Sequence, residues 1–524
     1  MIRRILKTLF LFSIILVTFS FILKSSYAET HNQEPLIRIG VVPATEEVQI
    51  KSASSFFIKK KETEEVIYKG QDEEFTVSLY STALIETNYR LQAHFTTNEA
   101  FRDDWLRRAE AEGYETYVEP YTNGWRLLIG KFPDDASFSE REAFRQEVIA
   151  KGLAGNDSFW RLITEVHEKS SLKIVGRNMD LISEEPVVIS SDQHLIMING
   201  TTYRGVAEIN FNSSGTLVAI NELPLEQYLY GVVPRELPPD PFHELEAQKA
   251  QAVAARTYAY ANLGKRSQDG YDLLATTADQ VYGGYDAEHP LSTQAVDETA
   301  GIVATYAGEL ISAVYHSTSG GYTANNEDVW NSEPVPYRRA VHVFDRSAVA
   351  INSVEELTTS KSDWELPVMD GSYEEPWSRY YRWEFQWTNE EISNILSDYF
   401  NTDVGDVHAI HIVSRAEHGR VLEIEFITDQ GTFREYKDRI RWALQYVNDQ
   451  GNFSPLLSTL FTIEPIKDEE TGETIGFLAT GGGWGHGVGM SQTGAVGMAE
   501  KGKTYDEILK HFYRGIELVN IQNE

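Results

Sequence analysis

Six of the nine residues from Gly481 to Gly489 are glycine. The run Gly481-Gly482-Gly483-Trp484-Gly485-His486-Gly487-Val488-Gly489 continues as Met490-Ser491-Gln492-Thr493-Gly494-Ala495. Glycine is the residue most costly to order in a helix or strand, so such a run marks positive φ values or something packed directly on the main chain. Two readings stand side by side: a tight structural turn, or a backbone cradle for a polar ligand with Trp484 and His486 on its rim. A nucleotide-binding loop does not fit, because no lysine stands where such a loop needs one. The rest of the chain must fold around this element. With 524 residues, 42% of them hydrophobic, it has material for two or three domains.

The N-terminus reads as a targeting signal. Arg3, Arg4 and Lys7 precede an apolar run from Thr8 to Leu23, and Ser26-Tyr27-Ala28 offers small residues for cleavage. Cleavage after Ala28 is favoured over retention as an anchor, and everything beyond it is expected outside the cytoplasmic membrane. There is no cysteine. A thiol nucleophile and thiolate metal ligands are thereby excluded. The formal net charge is −33, and loss of Arg3, Arg4, Lys7 and Lys24 with the signal leaves −37. That disfavours nucleic acid, whose phosphates need a basic surface. It also disfavours anionic lipid, so membrane contact is expected only through an uncleaved N-terminal segment.

Strand and helix patterns divide the chain further. Residues 29–87 alternate apolar and polar, as in LIRIGVV and EEFTVSLY, and read as a strand-rich lead-in. Residues 88–170 read as a separate β-α-β-β-α module, with an Asn123-Gly124 hairpin signal. Strands return over 171–220. A mixed region follows: a lobe over 221–345, a polar insertion over 346–405, and a C-terminal lobe over 406–524. Leu245 to Leu263 predicts a strong alanine-rich helix, and Thr504 to Phe512 a closing one. The fold class is α+β and multidomain.

Three further constellations carry polar chemistry. In Leu225 to Pro238, a short amphipathic turn is expected to end at Gly231, with Glu236 beyond it among Val232, Val233, Leu237 and Pro238. A carboxyl among such neighbours is partly desolvated, which raises its pKa and suits a general acid. A structural or solvated glutamate is the other reading. Lys249 and Arg256, two turns apart, share a helix face and would suit acidic groups of a substrate or Glu236 itself; a plain solvent face is the alternative. Thr276 to Gly284 is a polar loop, and Tyr315 to Thr323 places His316 and Ser319 beside a glycine pair.

Taken together, LEQYLYGVVPRELP, ELEAQKAQAVAARTYAYA, DQVYGG, AVYHSTSGGYTA and GGGWGHGVGMSQTGAVGMA resemble the sporulation stage II protein D and amidase-enhancer family. The ordered matches run from about 222 to 515. The 88–170 module resembles the SPOR peptidoglycan-binding domain, in pattern more than in fixed residues. The family resemblance implies a peptidoglycan lytic transglycosylase with Glu236 as the catalytic residue. It implies substrate-binding roles for Arg256, Gln280, Tyr282, Tyr315, His316, Ser319, Trp484 and His486. It also implies peptidoglycan glycan strands as the partner, with a non-enzymatic enhancer of a wall amidase as the rival. Some members hold zinc through Cys and His; with no Cys here, neither metal nor other cofactor is expected. A third alternative is a hydrolase in which Asp240 or Glu226 assists Glu236.

Overall fold

A computed structural model describes residues 34–344 and 372–522, apart from 122, 213, 375, 376 and 449. The proposed signal, 1–28, and most of the first half of the 346–405 stretch lie outside them. No helix among the described residues is long and apolar enough to cross a membrane. The chain divides into two units, one of residues 1–74 with 187–524 and one of 75–186.

The 75–186 unit carries the β-α-β-β-α order. The later part of the Val66–Thr96 strand leads to the Glu99–Ala111 helix, the Thr116–Tyr121 and Gly124–Pro133 hairpin, and the Phe138–Ala150 helix. Asn98 caps the first helix, and Ser137 and Glu140 form a capping box on the second. Both helices bury their apolar stripe on the sheet, with Trp105, Ala109 and Val148 against Leu91, Ala93, Leu127 and Ile129. The Phe159–Gly176 strand runs antiparallel to the preceding long strand, from Phe75↔Gly176 to Gln92↔Phe159.

In the larger unit, a mostly antiparallel sheet delivers the chain to the site. Leu36–Thr45 pairs with Leu217–Pro224, which pairs with Val206–Phe211 and onward to Val187–Ser191 and Glu47–Lys60. At Pro224 the strand passes directly into the Leu225–Glu236 helix. Sequence reasoning expects that helix to stop at Gly231, but it continues through Gly231 and Pro234. Gly231 has no positive φ. Its missing Cβ makes room for the Tyr282 ring, which a side chain there would meet at 2.6 Å. Pro234 lies in the last turn and removes the bond its N–H would give to the carbonyl four residues back, and the helix ends two residues later.

The alanine-rich helix spans Leu245–Ala261 and is buried on almost every side. Ala247, Ala250, Ala254 and Val253 let the Gln492–Glu500 and Tyr505–Phe512 helices approach closely, in one core with Met490, Val496, Leu509 and Phe512. A second core holds Trp383, Trp387, Ile392 and Leu396 with Ile424, Phe426, Phe461 and Phe477. The Trp383–Thr388 strand and Asn389–Phe400 helix therefore belong to the packed body. The described part of the stretch expected as an insertion is structural, because its scattered tryptophans face inward.

Candidate active site

Glu236 is the last residue of the Leu225–Glu236 helix. Val232, Val233 and Leu237 around it are buried, and part of its own surface stays open to solvent. Its Oε1 accepts the Val281 N–H at 2.6 Å. The Tyr315 hydroxyl and the Gln492 amide lie beside the carboxyl and favour its charged form. The same Gln492 Nε2 donates to the Glu236 main-chain oxygen at 2.9 Å and lies 3.3 Å from Gln251 Oε1. Behind Tyr315, Gln280 Nε2 donates to its hydroxyl at 3.0 Å, while Gln280 Oε1 accepts from Tyr228 at 3.2 Å.

Burial raises the Glu236 carboxyl to about 7, against the pull of Val281, Tyr315, Gln492 and Arg235, which favour the charged form. This has a consequence for stability. Between the ordinary carboxyl value of 4.5 and about 7, the unfolded chain loses this proton and the folded chain keeps it. Stability therefore falls as pH rises through that window, and the full penalty is present above it. Glu236→Gln is expected to leave stability unchanged below pH 4 and to raise it at pH 8 by roughly 2–3 kcal/mol. Urea midpoints at the two pH values check this; an equal shift at both would contradict it.

Of the other sequence-predicted residues, Tyr315 touches Glu236, and Gln280 supports it from behind while itself buried. Trp484 is 40% exposed, its ring 4.4 Å from that of Tyr380. His486 is partly open, 5.0 Å from the Trp330 ring, and burial lowers its imidazole to about 4. Its Nδ1 accepts the Val488 N–H at 3.0 Å. Gly483, Gly485, Gly487 and Gly489 all have positive φ, as the glycine run demands.

Four of the predicted substrate-binding residues turn inward. Arg256 is fully buried and uses all its donors inside the protein. Nε and Nη2 grip Glu226 at 2.7 and 2.6 Å, Nη1 reaches Thr299 and Ile302 O, and Nη2 also reaches Val296 O. Lys249 does not join it, because Glu246 and Glu298 hold it at 2.9 and 2.7 Å. Tyr282 is buried with its hydroxyl on Asn221 at 2.9 Å. His316 points away from Glu236, since neighbours on a strand alternate sides. Its Nδ1 lies 3.2 Å from Val488 O, and burial holds it well below its ordinary value. The Ser319 hydroxyl donates to Glu374 at 2.8 Å, so it is no free nucleophile.

Neither suggested second carboxylate is framed for chemistry. Glu226 is spent on Arg256, and exposed Asp240 pairs with His243 at 2.7 Å. Among the described residues, no group of three or more His, Asp or Glu is placed to hold a metal ion.

Sequence reasoning missed Val281, Gln492 and Glu374. Val281 contributes only its backbone, which no side-chain pattern reveals. Gln492 stands just past the glycine run, the one hint available. Glu374 has no local signal, because its partners lie 53 to 119 residues away.

The stage II sporulation protein family model matches residues 213–306, which include Glu236, Arg256 and Gln280. A domain of unknown function matches 324–489. The amidase enhancer of Bacillus subtilis is 32% identical over 311 residues, 56% of this chain but 40% of that longer protein. An uncharacterized protein of Brachyspira hyodysenteriae is 31% identical over 337 residues, 64% of this chain and 76% of the relative. Stage II sporulation protein D of Bacillus amyloliquefaciens is 30% identical over 319 residues, covering 57% of this chain and 75% of the relative. Since the family model takes in the Leu225–Glu236 helix and the match to the Bacillus amyloliquefaciens protein covers three quarters of that relative at 30% identity, the chain belongs to the stage II sporulation protein D family.

Proposed function

We propose that this protein is a peptidoglycan lytic transglycosylase that works outside the cytoplasmic membrane on the cell wall. The observation that carries the reading is one carboxyl, Glu236, held partly dry and able to keep its proton near neutrality. Such a group protonates the glycosidic oxygen as the bond from that oxygen to C1 of N-acetylmuramic acid breaks. The resulting carboxylate then takes the proton of the muramic 6-hydroxyl while O6 bonds to C1, leaving a 1,6-anhydro end. One carboxyl serves both steps, and no water is consumed, so no second carboxylate is required, unlike an ordinary glycosidase. Tyr315 and Gln492 favour the charged form between the two steps.

Tyr315 and the open Trp484 are the residues best placed to meet a sugar, since tryptophan presents a flat apolar face to a ring. Arg256, Tyr282, His316 and Ser319 act behind the surface. In this reading the 75–186 unit tethers the enzyme to glycan, as a SPOR-like module would. The name of the amidase enhancer relative supports a second reading, a wall-binding enhancer of an amidase that cuts nothing itself.

Incubating the chain with purified peptidoglycan and weighing the fragments separates the readings. Anhydro-muropeptides are expected. Fragments heavier by one water would indicate hydrolysis. An unaltered wall, with turnover only after an amidase is added, would favour the enhancer.

A further inference from the structure

We infer that Glu374 is a positioning residue for the reaction, holding the two segments that supply Tyr315 and Gln492 to Glu236. The inference rests on the reading of Glu236 as the acid–base group.

The Glu374 side chain is fully buried and receives donors from two separate segments. From the loop after the Tyr315–His316 strand come the Ser319 N–H at 2.7 Å, the Ser319 hydroxyl at 2.8 Å, and the N–H groups of Gly320 and Gly321 at 2.9 and 3.1 Å. Gly320 and Gly321 both have positive φ, which turns their N–H groups toward one carboxylate. From the other segment come the Ser491 hydroxyl at 2.5 Å and the Thr493 hydroxyl at 3.2 Å. Gln492, whose amide meets Glu236, lies between these two anchors.

The same two segments pair as short parallel strands, Tyr315↔Met490 and His316↔Ser491. That ladder is two residues long on each side, and the Thr493 N–H and hydroxyl add neutral bonds to Ser317 O at 3.0 and 3.1 Å. Charge-assisted hydrogen bonds are about twice as strong as neutral ones, so the Glu374 carboxylate is the stronger tie. Removing it leaves the buried Ser319 and Gly320 N–H groups and the Ser319 and Ser491 hydroxyls without an acceptor. The loop and the start of the Gln492–Glu500 helix can then separate, and the Tyr315 hydroxyl and the Gln492 amide beside Glu236 move with them.

The test uses the full chain. Glu374→Gln keeps the volume and loses one acceptor oxygen. At a temperature where circular dichroism shows it folded, it is expected to lower kcat for anhydro-muropeptide release roughly 100-fold, as a small misplacement does, with KM changed less than about threefold. The alkaline limb of its pH profile is expected to move up, because Tyr315 and Gln492 favour the charged carboxyl. Should Glu374→Gln fail to fold, Ser491→Ala removes one anchor and is expected to lower kcat about tenfold, with the same upward move of the limb.

A folded variant with unchanged kcat, or with activity lost only in step with melting and an unmoved limb, overturns the inference. If the wild-type chain releases no anhydro product, the reading of Glu236 fails by itself. The inference is then judged by the crystal structure of Glu374→Gln, or of Ser491→Ala, alone. A Gln492 amide displaced from Glu236 upholds the tie, and one still on Glu236 overturns it.

Discussion

Glu236→Gln is expected to lower the release of anhydro-muropeptides from purified peptidoglycan by at least about 10³-fold, with binding of the wall unchanged. The amide keeps the size of the side chain and can still accept from Val281, but it cannot deliver a proton or take one back. The wild-type rate should fall on the alkaline side as pH passes about 7, where the carboxyl loses the proton it must donate. Mass spectrometry of the fragments and a sedimentation binding assay measure the two quantities separately. Activity of the variant within tenfold of wild type would remove Glu236 from the chemistry. Paired with the stability gain expected of the same variant at pH 8, the result would describe a site that gives up folding energy to keep an acid poised.

A loss of a different kind is expected at Arg256. Arg256→Met should destabilise the larger unit by roughly 3–5 kcal/mol, because it leaves Glu226 largely buried without its partner. The Val296 and Ile302 carbonyls lose donors as well. Urea unfolding reads the effect. Glu226→Gln combined with Arg256→Met is expected to recover part of it, since the stranded charge is gone. If Arg256 bound substrate instead, Arg256→Met would melt like wild type and show a raised KM.

Both predictions depend on whether a polar side chain works at the surface or inside the packing. Arg256 and Glu236 stand in equally recognisable stretches of sequence, and the resemblance alone gives both a place at the site. Only the folded chain separates them. The Ala247–Ala259 surface is buried on nearly all sides, so the Arg256 side chain finds a carboxylate rather than a ligand.

The local elements were legible where short-range physics decides them. The alanine-rich helix, the closing helix with its Thr504–Glu507 cap, and the β-α-β-β-α order of the smaller unit all follow from periodicity, capping residues and turn residues. So do the positive φ values of the glycine run and the apolar neighbours that dry Glu236. The course of the helix through Gly231 was not legible, because a glycine's reason for being there was a tyrosine fifty-one residues away. The same holds for the partners of Glu236. Val281 N–H, Tyr315 and Gln492 reach it across 45 to 256 residues of chain. A sequence records which residues can cap, turn or alternate, since those interactions lie within a few positions. Which donor meets which acceptor across a core is decided only when whole elements pack, and the proton-holding state of this carboxyl comes from that packing.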